Sequence, residues 1–223
     1  MTTDELQNKI IGKVKDDSGK VTSTDYENAA AEALKRYSKH CPLLVCEDIV
    51  GNATNDLPLP TGWSEGISSI VSVEYPIGNV PETLIDTDQW YVYQSPTGKK
   101  LRLTELQPKI TESVRVLYNG LHAESTVPDA DEDAIANLAA SFCLRQLAAV
   151  YGQTGDSSLS ADVVNYRSKA DEFKRLADSF EKLYKDHLGL KDTDTSPAAS
   201  VSARSPEEDR IRLTHWRTRW DKP

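Results

Sequence analysis

The chain has 223 residues, of which 38% are hydrophobic and 27% charged, and its formal net charge is -9. That length and apolar content suffice for one domain with extensions or two small ones around a real core, which excludes a disordered chain. An acidic balance repels a phosphate backbone, so the body of the molecule is not expected to read nucleic acid through a basic groove. The N-terminal run MTTDELQNKI is not a charged-then-apolar leader, and no apolar run looks long enough to cross a bilayer; a soluble, intracellular site of folding with no membrane partner is the expectation. Three cysteines, Cys41, Cys46 and Cys143, without C-x-x-C spacing read as free, mostly buried thiols.

Leu6, Ile10, Ile11 and Val14 recur at near-helical spacing and predict a short amphipathic helix over 3–15, ended by Asp17-Ser18-Gly19. A second helix begins at a T-x-x-E capping box, Thr24 and Glu27, with Tyr26, Ala29, Ala30, Ala33, Leu34 and Tyr37 on one face and Pro42 beyond its end. The small residues of that face suit close helix packing. From Pro42 to about His122 the period becomes alternating. In GISSIVSVEY, Ile67, Val71, Val73 and Tyr75 share one side of a strand and Ser68, Ser72 and Glu74 the other. WYVYQ is the next strand, and Ser95-Pro96-Thr97-Gly98 turns it back into KKLRLT, where Leu101 and Leu103 face together. SVRVLYN adds Val114, Val116 and Tyr118, for an antiparallel sheet of about three to five strands.

Helical period resumes after Val127-Pro128. Asp129, Asp131, Glu132 and Asp133 load the first turn with charge that matches the helix dipole. Ala134, Ile135, Leu138, Ala139, Phe142, Leu144, Leu147, Ala148, Val150 and Tyr151 then make the most apolar helix, the expected central core element. After GQTGDSS, a long helix spans about 160–188, with Val163, Ala170, Phe173, Leu176, Ala177, Phe180, Leu183, Tyr184 and Leu188 inward and Gly189 as its C-terminal cap. Lys169, Lys174, Arg175, Glu181, Lys182 and Lys185 form its solvated outer face. Residues 191 to about 208 are rich in Asp, Thr, Ser, Pro and Ala and read as a linker.

The fold class is therefore α+β, mainly α: a helical bundle with a β-rich antiparallel insertion and an extended C-terminal tail. The expected divisions are 1–42 for the N-terminal helices, 43–122 for the insertion, 123–190 for the long core helices and 191–223 for linker and tail. That tail, DRIRLTHWRTRWDKP, brings Arg210, Arg212, Arg217 and Arg219 together with Ile211, Leu213, Trp216 and Trp220. Arg and Trp dominate interface hot spots, so these eight residues are the candidate docking residues of a segment that orders on a protein partner. Basic residues interleaved with aromatics also suit nucleic acid, and the spacing of the tryptophans suits a helix folded back on the body.

Catalytic constellations are not evident. Pro96-Thr97-Gly98-Lys99-Lys100 lacks the upstream glycine and the following Ser or Thr of a phosphate-binding loop and is a turn. His40, Cys41 and Cys46 match no zinc spacing, while His122, His187 and His215 are scattered and no G-x-S-x-G elbow exists. The expectation is a non-enzymatic protein with no cofactor and no metal.

The runs VSVEYPIGNVPETLIDTDQWYVYQSPTGKKLRL and VPDADEDAIANLAASFCLRQLAAVYGQTGDSSLSADVVNYRSKADEFKRLADSFEKLYKDHLGL, with the helix order around them, resemble the head-tail adaptor (connector) proteins of long-tailed bacteriophages and prophages. The similar regions lie within about 63–190. The resemblance implies a structural virion protein: a homo-oligomeric ring of twelve copies beneath the portal, in the neck at the head-tail interface, assembled in the host cytoplasm. It implies the portal protein and a downstream neck or tail protein as partners, with DNA passing through the channel without sequence-specific binding. The Arg/Trp residues are nominated as portal-binding by their own chemistry, since no fixed tail motif marks the family. Two alternatives stand beside this: another neck protein, a stopper or tail terminator, or a regulatory or nucleic-acid-binding module acting through the basic tail.

Overall fold

The computed structural model describes residues 2–153 and 166–191. In chain order the elements are α1 (Thr3–Val14), α2 (Ser23–His40), six strands β1 (Leu43–Val50), β2 (Asp56–Pro58), β3 (Ile70–Glu74), β4 (Trp90–Ser95), β5 (Gly98–Leu103) and β6 (Ser113–Gly120), a 3-10 turn Glu124–Thr126, then α3 (Glu132–Gln153) and α4 (Tyr166–His187). The fold is α+β, four helices with two small antiparallel sheets.

Both N-terminal helices open on capping boxes. The Thr2 hydroxyl accepts from the Glu5 amide while the Glu5 carboxylate accepts from the Thr2 amide. In α2 the box is Thr22 with Asp25, not Thr24 with Glu27. The helix starts two residues earlier because Val21 and Tyr26, which flank the true box, are both buried in the bundle core, the arrangement of a hydrophobic staple. The predicted inner face of α2, from Tyr26 to Tyr37, is wholly buried. In α1, Leu6, Ile10 and Val14 are buried but Ile11 is 46% exposed.

Helix α3 is the axis of the bundle. Between Ala134 and Leu147 it buries residues on every side, and α1, α2 and α4 all pack against it. By length and composition it is apolar enough to cross a membrane, contrary to the sequence reading, but its apolar surface is spent on the three helices around it. Its thiol Cys143 lies in this core, and burial pushes it up to about 12. Helix α4 ends in a Schellman motif: Gly189, with φ of +66°, donates to the Asp186 carbonyl, and Leu190 donates to that of Lys185.

The chain between α2 and α3 forms two three-stranded sheets, ordered β1-β6-β3 and β2-β5-β4, rather than the single sheet expected. Their inner faces share one core that includes Ile49, Leu57, Leu101, Leu103, Val114, Val116 and Tyr118. The Pro96-Thr97 turn joins β4 to β5 with Ser95 opposite Gly98, as the sequence indicates. In β3 the alternation breaks. A bulge between Ile70 and Ser72 turns Ile70 inward and leaves Val71 44% exposed, so Ile67, Val71, Val73 and Tyr75 do not share a face. In the second sheet Asp56 accepts from Arg102 Nε at 2.6 Å and from the Tyr93 hydroxyl, one residue from each strand. These bonds hold the Asp56 carboxyl down at about 2.

A Leu138→Ala substitution, which deletes a fully buried side chain at the bundle axis, is expected to cost about 2–5 kcal/mol in urea unfolding. A Cβ on Gly51 would lie 2.4 Å from the Lys109 carbonyl oxygen, so Gly51→Ala is expected to cost about 1–3 kcal/mol by the same measurement.

Candidate interaction surfaces

The insertion is rooted at one point. Leu43, the first residue of β1, pairs with Gly120, the last of β6, so the chain leaves α2 and returns towards α3 side by side. The extensive contacts between elements are helix with helix or strand with strand. The joint is made by Ser38, wholly buried, whose hydroxyl donates to the Leu34 carbonyl at 2.7 Å and accepts from the His122 amide at 2.9 Å. The His122 ring lies edge-on to Tyr37 at 5.1 Å. No periodicity argument marks Ser38, because its partner is 84 residues away in sequence.

Beside this joint, the acidic start of α3 gathers the other three helices. Asp131 accepts from the Tyr37 hydroxyl at 2.6 Å and from His187 Nε2 at 2.8 Å, linking α2 and α4. Glu132 accepts from Lys9 Nζ of α1 at 2.7 Å. Burial raises the Asp131 carboxyl, but the Tyr37 and His187 bonds outweigh it and hold the group below its ordinary range. Close by, the His40 ring and the Tyr184 hydroxyl are hydrogen bonded at 2.7 Å, and burial depresses the imidazole. His40 is thus engaged within the bundle, Cys46 is exposed on a strand, and only Cys143 of the three cysteines is fully buried. Among the described residues no group of three or more His, Cys, Asp or Glu is placed to hold a metal ion.

Exposed apolar side chains are spread over several elements of the described residues, Leu44 and Tyr91 among them, and two groups of them bear on assembly. On α4, Leu176 and Leu183 are 41% and 50% exposed, although both were expected inward. They lie two turns apart on one face, while the core takes Ala177 and Tyr184 instead. Conversely Glu181, expected on the outer face, is largely covered and pairs with Arg36 at 3.3 Å, with Arg145 and with Lys185. The second group lies at the end of the sheet β1-β6-β3 farthest from the joint. There Val50 closes β1, Val80 lies in the loop after β3 and Ile110 precedes β6, exposed by 58%, 99% and 70%. The Tyr75 hydroxyl donates to Glu112 at 2.6 Å, and Gly51 donates to the Glu112 carbonyl, so these loops form one connected rim.

Among the described residues, two concave surfaces open to solvent bear on binding. One, of about 630 Å³, lies over the outer face of sheet β1-β6-β3. Its floor is two cross-strand rows, Asp48–Arg115–Glu74 and Cys46–Leu117–Ser72, with Glu82 and Leu84 from the following loop. Arg115 donates to Asp48 at 2.8 and 3.0 Å and to Glu74 at 3.5 Å. The other, of about 600 Å³, runs between α3 and α4 past Arg145, Asp178 and Lys182. The eight nominated docking residues, Arg210, Ile211, Arg212, Leu213, Trp216, Arg217, Arg219 and Trp220, lie outside the described residues, as does Val163.

These features define an α+β structural class, a helical bundle with a rooted β insertion. No family model matches the chain, and no curated protein does. Among solved structures, a chain in the neck of a native gene transfer agent particle, computed with C12 symmetry, is 9% identical over 78% of this chain and 92% of its own, with a TM-score of 0.27. A chain of the native gene transfer agent virion is 10% identical over 67% and 76%, with a TM-score of 0.25. A chain in the neck of the empty particle, computed with C6 symmetry, is 11% identical over 69% and 79%, with a TM-score of 0.26. Likenesses this distant establish neither family nor function for the chain.

Replacing Asp131 by Asn weakens charge-assisted bonds to two helices and is expected to cost about 1–3 kcal/mol at pH 7. Because the folded carboxyl titrates below the unfolded one, this stabilisation is complete above about pH 5 and disappears as pH falls through the folded value. Urea unfolding at pH 7 and pH 3 should therefore show the gap between the two proteins narrowing in acid.

Proposed function

We propose that the protein is a structural, non-enzymatic component of a phage-type neck: a head-tail adaptor that forms a ring beneath the portal and continues the DNA channel towards the tail. Residues 209–223 are its portal-docking segment, and Arg210, Ile211, Arg212, Leu213, Trp216, Arg217, Arg219 and Trp220 supply the contacts. It assembles in the host cytoplasm and ends in the virion, with a downstream neck or tail protein on its other side.

The observation that carries this reading is that α4 and the far rim of the insertion each present a group of exposed apolar residues, Leu176 with Leu183 and Val50 with Val80 and Ile110. A ring with one repeated contact needs two different complementary patches on each copy, whereas a two-fold dimer needs one self-complementary patch. The order of elements, helices around a β-rich insertion, is also the one that the sequence resemblance implies. A net charge of -9 suits a wall past which DNA moves without sticking.

Co-purification with the portal protein encoded nearby, followed by mass measurement, tests this. A complex with many copies per portal is expected from the full-length protein, and deletion of 209–223 is expected to abolish it while leaving the circular dichroism of the body intact. Leu176→Asp with Leu183→Asp, or Val80→Asp with Ile110→Asp, is expected to leave the monomer folded and prevent the ring. Salt-sensitive binding to DNA with no portal complex would overturn the adaptor reading in favour of a nucleic-acid-binding module.

A further inference from the structure

The two grooves described above differ in the sign of their charge. The one between α3 and α4 has four cations against three carboxylates, so a basic peptide gains nothing there. The one on sheet β1-β6-β3 is acidic. Glu47, Asp48, Glu74 and Glu82 stand against Arg115 alone, and no ion pair engages Glu82 among the described residues. Leu84, 55% exposed, and Leu117 add apolar surface to it. The ligand such a surface suits is an extended basic segment with large apolar side chains.

The chain carries one. Residues 209–223 hold five Arg and Lys against two Asp, with two of the four tryptophans, in a protein that is otherwise strongly acidic. The described chain also ends in the right place. The last turn of α4 is bonded through His187 to Asp131 and through Tyr184 to His40, so it leaves the bundle at the end where the insertion is rooted. The seventeen residues 192–208 can span at most about 60 Å, and an eight-residue strand such as β1 is only about 27 Å long.

We propose that the outer face of sheet β1-β6-β3 is an intramolecular docking groove for residues 209–223, occupied until a partner takes the segment. Guanidinium groups of the segment meet Glu82 and the outward edge of Asp48, and indole rings cover Leu84 and Leu117. This rests on reading the segment as a docking peptide. It adds that the free protein holds the peptide against its own body, so that portal binding is a competition rather than a simple capture.

Cys46, exposed on the groove floor, is a built-in probe. The full-length chain is pulse-labelled with a maleimide and mapped by peptide mass, beside a full-length variant with Arg210, Arg212, Arg217 and Arg219 all changed to Glu. Cys46 is expected to react roughly tenfold more slowly in the unaltered chain, the protection given by a closed population of about 90%. Equal rates overturn the proposal. In a second variant, Thr218→Cys, mild oxidation is expected to give a Cys46 disulfide to position 218 within one chain; a disulfide found only between chains overturns the intramolecular assignment. Portal binding by a protein whose Cys46 is unprotected sinks the groove and leaves the adaptor reading standing, whereas protection without portal binding does the reverse.

Discussion

A helix that is apolar on every side has to be enclosed, and the enclosure of α3 governs the rest of this molecule. Three helices cover it, and each is also tied by a polar bond to its first turn: α1 through Lys9, α2 through Tyr37 and α4 through His187. Burial of apolar area supplies the driving force but has no direction. The bonds to Asp131 and Glu132 set the register in which the helices close around the axis. Carboxylates at a helix N-terminus are favoured by the dipole, and here the same carboxylates also serve three neighbours.

The same end of the bundle is where the β insertion departs. Its first and last strands pair from Leu43 and Gly120 onwards, and Ser38 fastens the returning chain to α2. Because the two sheets hold their own core and contact the helices little, the insertion projects from the bundle instead of sealing it. One sheet face is consequently left to solvent with its cross-strand charges, and the loops opposite the joint place Val50, Val80 and Ile110 at the extremity. Surfaces suited to partners thus arise where the core has no further use for the strand.

Charge is distributed unevenly along the chain. The folded body carries the acidic excess and the C-terminal segment a basic one. In the body, most exposed ion pairs are near neutral in their effect on stability, but Glu181 is nearly covered and serves Arg36, Arg145 and Lys185 together, so it acts as a pin between α2, α3 and α4. A long-range attraction between an acidic body and a basic segment follows from this division.

Period and turn chemistry determined a good deal by themselves. The buried face of α2, the hairpin at Pro96-Thr97, the inward set Val114, Val116 and Tyr118, and the Schellman ending at Gly189 are all local consequences of residue spacing or of glycine at positive φ. What depends on distant partners could be decided only by the tertiary structure. The capping box moved to Thr22 because burial of Val21 and Tyr26 rewards that start, and the bulge in β3 reversed the facing of Ile70 and Val71 because β6 sets its register. Leu176 and Leu183 were left outside because Ala177 and Tyr184 already fill the space against α3, and Glu181 was drawn in because cations from α2 and α3 converge on it. Spacing along one element fixes which residues share a face; only the elements packed around it determine which face is covered.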